Sequence, residues 1–243
     1  MKRSLLFLAA TTVSLFGFSG QAMAYFTDGS LIQVVYQTNG GYEVATDLGA
    51  FHPTTAYTGA TQTLGNTVTA GSGVFSTATW GDLRVAYFVK QASTSDAWTS
   101  GPATGQTSGS RKWVGYQSAT TSVMSKYATV AGISNQAIIA KTDSQTYNTT
   151  LTTMAGAGGF AGFIPALNGE TSLADIDTVG YVDSYLYYYN TPDSALAGTQ
   201  VAKLRTYGDG HTEVVGAAPV PIPAPIFLLG SGLMALVGIK RKK

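Results

Sequence analysis

Val179-Gly180-Tyr181-Val182-Asp183-Ser184-Tyr185-Leu186-Tyr187-Tyr188-Tyr189-Asn190 is the stretch that decides the fold class. Tyr181, Tyr185, Tyr187 and Tyr189 share one parity with Asp183, while Val182, Leu186 and Tyr188 take the other. A period of two in β-branched and aromatic residues is the mark of a strand. Working outward, Val201 to Tyr207 pairs with Thr212 to Val215 across Gly208-Asp209-Gly210-His211. Leu83-Arg84-Val85-Ala86-Tyr87-Phe88-Val89 reads as a strand buried on both faces. Leu31 to Tyr36 and Tyr42 to Leu48 form a hairpin about Asn39-Gly40-Gly41, which is expected to supply a positive-φ turn. Thr61 to Thr79 suits exposed strands and turns, and Ser93 to Ser110 reads as a polar loop carrying Trp98.

The middle of the chain changes period. Val123, Tyr127 and Val130 recur at i, i+4 and i+7 within Ser118 to Leu151, which predicts one or two short helices interrupted near Gly132. Met154 to Phe163 is a glycine-rich connection. Residues 25-216 therefore read as one mostly-β domain, sandwich-like, with a small central helical insertion. A chain of 243 residues and 25.3 kDa agrees with a single domain.

Charged residues make up only 11% of the chain, and Cys is absent. No disulfide framework, thiol nucleophile or Cys zinc site is available. The formal charge of +1 averages unlike segments. With Lys2, Arg3, Lys240, Arg241, Lys242 and Lys243 set aside, eight basic residues face thirteen acidic ones, leaving the body at −5. Nucleic-acid binding needs a basic face and is disfavoured.

Both ends read as targeting segments. Residues 1-24 have a positive start, an apolar run from Leu5 to Phe18, and Ala22-Met23-Ala24 as an A-x-A site. This is a secretory signal peptide, to be cut by signal peptidase between Ala24 and Tyr25. Residues 217-243 carry Pro219, Pro221, Pro223 and Pro225 at every second position, which holds the segment extended. Ile226 to Ile239 is apolar and reaches spanning length together with Val220 to Pro225. Lys240-Arg241-Lys242-Lys243 follows as a stop that stays cytoplasmic. The expectation is a body outside the membrane and a single C-terminal span.

Val220-Pro221-Ile222-Pro223-Ala224, the apolar segment with Leu228-Leu229-Gly230-Ser231-Gly232, and the basic end together resemble the sorting signal of PEP-CTERM proteins. The likeness is to the variant with a Val-Pro-Leu-Pro-Ala core, from which Ile222 departs by standing at the Leu position. It implies processing by an exosortase, a Gram-negative envelope and a nearby exopolysaccharide system, with transient membrane anchoring before release to the cell surface or biofilm. It covers only the tail. The start of the body, Asp28-Gly29-Ser30 to Val44-Ala45-Thr46-Asp47-Leu48, also resembles the mature start of uncharacterised proteins with this tail, and implies no activity.

Chemistry in the body is sparse. His52 lies in Phe51-His52-Pro53 and His211 in the hairpin turn beside Asp209; no Gly-x-Ser-x-Gly elbow marks a serine nucleophile. Asp175, Asp177 and Asp183, with Glu170, form the densest carboxylate group, read either as a weak Ca²⁺ candidate or as a solvated strand end. No spacing singles out a hydrolytic carboxylate pair. Gly156 to Gly162 matches G-x-G-x-x-G only loosely and reads as a connector. The sequence thus assigns no catalytic residue and no cofactor. Tyr181, Tyr185, Tyr187 and Tyr189 are read either as a platform for stacking sugars or as cross-strand packing. The functional expectation is a structural or adhesive surface protein associated with exopolysaccharide; the alternative is a secreted carbohydrate-binding or carbohydrate-active domain.

Overall fold

The structure is a computed structural model and describes residues 25–66, 69–106, 113–152, 169–190 and 197–216. The signal peptide, the Gly156–Gly162 connector and the whole tail from residue 217 lie outside the described residues. Among the described residues no helix is long and apolar enough to cross a membrane.

The strands are β1 (Ser30–Gln37), β2 (Tyr42–Ala50), β3 (Gln62–Asn66), β4 (Leu83–Gln91), β5 (Asp96–Gly101), β6 (Gln136–Ala140), β7 (Glu170–Ser172), β8 (Tyr181–Tyr189), β9 (Thr199–Tyr207) and β10 (His211–Val214). A long helix α1 (Trp113–Ala131) and a single turn α2 (Ile176–Val179) complete the set, with a π-helical turn at Tyr147–Thr152. The domain is mostly β with one long helix, but its two faces do not belong to two sheets as a sandwich requires. All strands join one antiparallel sheet in the order β3-β10-β9-β8-β5-β4-β1-β2-β6, and β7 pairs with β4 beside β5.

One sheet can have two cores because its parity separates them. Leu31, Val35, Leu83, Val85, Tyr87, Val89, Trp98, Val182, Leu186, Leu204 and Val214 fill the inner face. The sheet curls until β3 approaches β2, where a Cβ on Gly65 would lie 3.4 Å from Leu48. Ile32, Val34, Tyr36, Ala86, Phe88 and Ala97 face outward and are covered by Trp113, Tyr116, Val123, Met124 and Tyr127 of α1. The inner face also buries polar groups: Gln33 Nε2 donates to the Tyr87 hydroxyl (2.8 Å) and to Thr212 Oγ1 (2.9 Å). Pairing is what makes such groups tolerable there. Gln33 Oε1, by contrast, is buried without a hydrogen-bond partner among the described residues.

The middle of the chain departs from its sequence reading. The helix starts earlier, runs unbroken for 19 residues and ends at Gly132, whose φ of +63° suits a helix stop. Val123 and Tyr127 are buried as the spacing implies, whereas Val130 is exposed. The segment after the helix becomes edge strand β6. The supposed polar loop around Trp98 is β5, a central strand flanked by β4 and β8, and Trp98 is wholly buried. Its polar residues conceal this: Thr99 donates to Gln106 Oε1 (3.0 Å), and Ser100 accepts from the Tyr87 amide (2.8 Å) and donates to the Gly169 carbonyl.

A buried carboxylate fastens the helical insertion to the sheet. Glu43 on β2 is fully buried and accepts from Tyr127 Oη (2.6 Å), the Tyr147 amide (2.9 Å), the Asn148 amide (3.0 Å) and Asn148 Nδ2 (2.8 Å). Burial, and then the Glu43 charge, push the Tyr127 hydroxyl well above its ordinary range, so it remains a donor. Glu43→Gln keeps the shape but turns an N–H toward groups that donate. It should cost about 1–3 kcal/mol, one stranded buried donor's worth, read as a lower thermal midpoint with unchanged strand content by circular dichroism.

Candidate functional site

Where α1 ends its cover, β8, β9 and β10 keep an open outer face. Tyr181, Asp183 and Tyr185 on β8, Lys203, Arg205 and Tyr207 on β9, and His211 and Glu213 on β10 are all half-buried there. Register places Tyr181 opposite Tyr207, Asp183 opposite Arg205, and Tyr185 opposite Lys203. Arg205 donates through Nε (2.7 Å) and Nη2 (3.0 Å) to the two oxygens of Asp183, and its guanidinium lies 3.7 Å from the centre of the Tyr181 ring. Lys203 Nζ reaches the same carboxylate at 3.4 Å. Tyr207 stacks on His211 at 4.1 Å and donates to Glu213 Oε2 (2.9 Å).

Beside this face the sheet splits. β5 stops at Gly101, and β7 continues its row against β4, but along Tyr181 to Ser184 no described strand completes the ladder on that side of β8. One side-chain bond bridges the gap, from Ser184 Oγ to Thr171 Oγ1 (2.8 Å). α2 closes the end of the wedge: Ile176 is buried, and Gly180 adopts φ +86° to turn the chain into β8. The resulting cleft encloses about 430 Å³ and is lined by Thr171, Ser172, Asp175, Val179, Tyr181, Val182, Asp183 and Tyr185. That volume falls among ordinary small-ligand clefts, about 300–1,000 Å³.

The four tyrosines of one strand parity therefore divide. Tyr181 and Tyr185 line the cleft, but Tyr187 and Tyr189 belong to the outer core. Tyr187 is 1% exposed and donates to the Pro102 carbonyl, while Tyr189 donates to Gln106 Oε1 (3.0 Å). These two are packing residues, because the strand passes under the helix-covered core after Tyr185. Sequence reasoning missed Arg205, Lys203 and Tyr207, which the pairing of β8 with β9 brings to the same surface. Their alternation along Lys203, Arg205 and Tyr207 was the available signal.

The carboxylates divide likewise. Asp175 and Asp183 share the cleft, Asp177 sits exposed on α2, and Glu170 is engaged elsewhere by the hydroxyls of Tyr36 (2.5 Å) and Tyr147 (3.1 Å). Among the described residues no three His, Asp or Glu side chains are grouped to hold a metal ion. Burial alone would raise the Asp183 carboxyl, but the bonds and charge of Arg205, then Lys203, hold it below the usual carboxylate range.

Among the described residues neither histidine bonds a hydroxyl nucleophile. His52 Nδ1 bonds the Gly29 carbonyl (2.9 Å) and its ring packs on Trp98. His211 Nδ1 lies 2.5 Å from Asp209 Oδ1 and its Nε2 faces Glu213 at 3.7 Å, so both ring nitrogens point at carboxylates. A triad would need one of them to face a serine. Comparison of the chain with protein-family models, with curated proteins and with solved structures finds no match.

Two predictions follow from this division. Tyr187→Ala should cost about 3–5 kcal/mol, as for other core aromatics, whereas Tyr185→Ala, at a half-buried ring packed on the rim of that core, should lower the melting temperature by distinctly less; paired thermal melts check both. For acid unfolding, the Asp183 carboxyl has a folded value below its unfolded one. Its ion pairs thus add stability above about pH 3.9 and lose it as the pH falls through the depressed folded value. Asp183→Asn should flatten that part of the stability–pH curve.

Proposed function

We propose that this chain is an exported surface or extracellular-matrix protein with an adhesive role toward exopolysaccharide. It would be cut first by signal peptidase after Ala24 and held in the membrane by its C-terminal segment. An exosortase acting at Val220-Pro221-Ile222-Pro223-Ala224 would then process it. The observation that carries the adhesive part is the cleft beside an uncovered sheet face, which sets tyrosine rings next to serine, threonine and carboxylate oxygens. Sugars offer apolar C–H faces to such rings and hydroxyls to such oxygens.

The second reading, a carbohydrate-active domain, is less well supported by the same cleft. Hydrolysis needs one carboxyl to carry a proton and a second to act beside it. Asp183 is bound by Arg205 and Lys203 and held ionised, so it has no proton to give. Binding without turnover fits these groups better.

The targeting half of the proposal has its own test. Pro221→Ala combined with Pro223→Ala removes the extended segment and should leave an anchored precursor in the host envelope. The parent should show Tyr25 as its first residue and a shortened C-terminus. Intact mass of envelope and culture-supernatant fractions reads both ends, and normal processing of the double variant would overturn exosortase recognition.

A further inference from the structure

We propose that the cleft between β7 and β8 takes a neutral sugar unit of a polysaccharide and turns carboxylated ones away, and that Asp183 sets this choice. The inference rests on the adhesive reading above and narrows its ligand.

The charges of the site argue for it. A surface with Lys203 and Arg205 side by side would ordinarily attract an acidic polymer. Here both cations are spent on one carboxylate: Arg205 makes a two-pronged contact with Asp183 while lying flat on Tyr181, and Lys203 reaches the same group. The carboxylate exposed at the rim is Asp175. A uronate-bearing chain entering the cleft would meet Asp175 and Asp183, the two charged residues among those that line it, and the body as a whole is acidic. A neutral pyranose suits the same lining. Its hydroxyls donate to the two carboxylates and exchange hydrogen bonds with Thr171, Ser172 and the tyrosine hydroxyls, and its C–H face suits the Tyr185 ring.

The geometry disfavours an extended peptide in the same gap. A strand added between β7 and β8 needs its neighbours two strand spacings apart, roughly 9.6 Å. The Ser184–Thr171 hydroxyl contact at 2.8 Å ties the two strands more closely than that.

The test uses the full chain purified in detergent and affinity electrophoresis through gels containing one polymer each. The neutral probes are dextran, mannan and xyloglucan. The acidic probes are alginate and polygalacturonate, each also used after reduction of its carboxyls to alcohols. The expected result is retardation by at least one neutral or carboxyl-reduced polymer, at least tenfold stronger than by any native acidic one and unchanged by added salt. Tyr185→Ala should abolish it while the variant still melts in one cooperative transition and keeps the parent's strand content by circular dichroism. Asp183→Asn frees Arg205 and Lys203 and should create salt-sensitive binding to native alginate. Asp175→Lys, at an exposed position, should shift the preference in the same direction and serves if the Asp183 variant does not fold. A parent that prefers the native acidic polymers, or folded Asp183 and Asp175 variants that keep the parent's preference, would overturn the charge selection and leave the adhesive reading standing. A parent retarded by none of these polymers, nor by polysaccharide purified from its host, would overturn both.

Discussion

A single sheet that buries both of its faces has to find two covers, and this requirement organises the molecule. The inner cover is the sheet itself, curled until strands from opposite ends of its order share one core. The outer cover is α1 with the turn at Tyr147–Thr152, and it reaches only part of the sheet. What lies beyond the helix must be polar enough to meet water and ordered enough to remain a strand. β8 shows the change along its own length: Tyr187 and Tyr189 pack, while Tyr181, Asp183 and Tyr185 are half open. The open surface is thus defined by where the helix ends.

Glu43 ties the two covers together. Its four accepted bonds, together with the burial of Tyr147 and Leu151, fix the segment following β6 against β2. A charge buried this deeply is tolerable only because donors surround it. The same logic operates on the open face at lower stakes, where Asp183 is encircled by Arg205 and Lys203 in partial contact with water.

Much of the strand layout was legible in the sequence because alternation and turn residues act locally. Tyr181 to Tyr189, the β9–β10 hairpin about Gly208 to Gly210 and the β1–β2 hairpin about Asn39-Gly40 all lie where those signals place them, although the β1–β2 turn closes without the positive φ expected at Asn39-Gly40-Gly41. β5 did not announce itself, since Asp96, Thr99 and Ser100 look like loop residues until their partners are known. The sheet's continuity was equally hidden, because nothing local distinguishes one curled sheet from two stacked ones. For the site, strand parity grouped the tyrosines correctly on one face. Parity carries no information on how far a helix extends over that face, so the burial of Tyr187 and Tyr189 could not be read from it. The gathering of Asp183 with Arg205 and Lys203 needed the β8–β9 register.

The row beside β4 is filled by two pieces of chain far apart in sequence. β5 occupies its upper half and ends at Gly101, and β7 begins the lower half only at Glu170, after α1 and β6 have intervened. Contacts of such long sequence separation form slowly, since the loop between them must first be closed. Glu170 on β7 accepts from Tyr36 of β1 and from Tyr147 of the turn that follows β6. Glu170 thus couples the β7 wall of the cleft both to β1 and to the turn at Tyr147–Thr152, so a change in the helical insertion is carried to the cleft by hydrogen bonds rather than by neighbouring sequence.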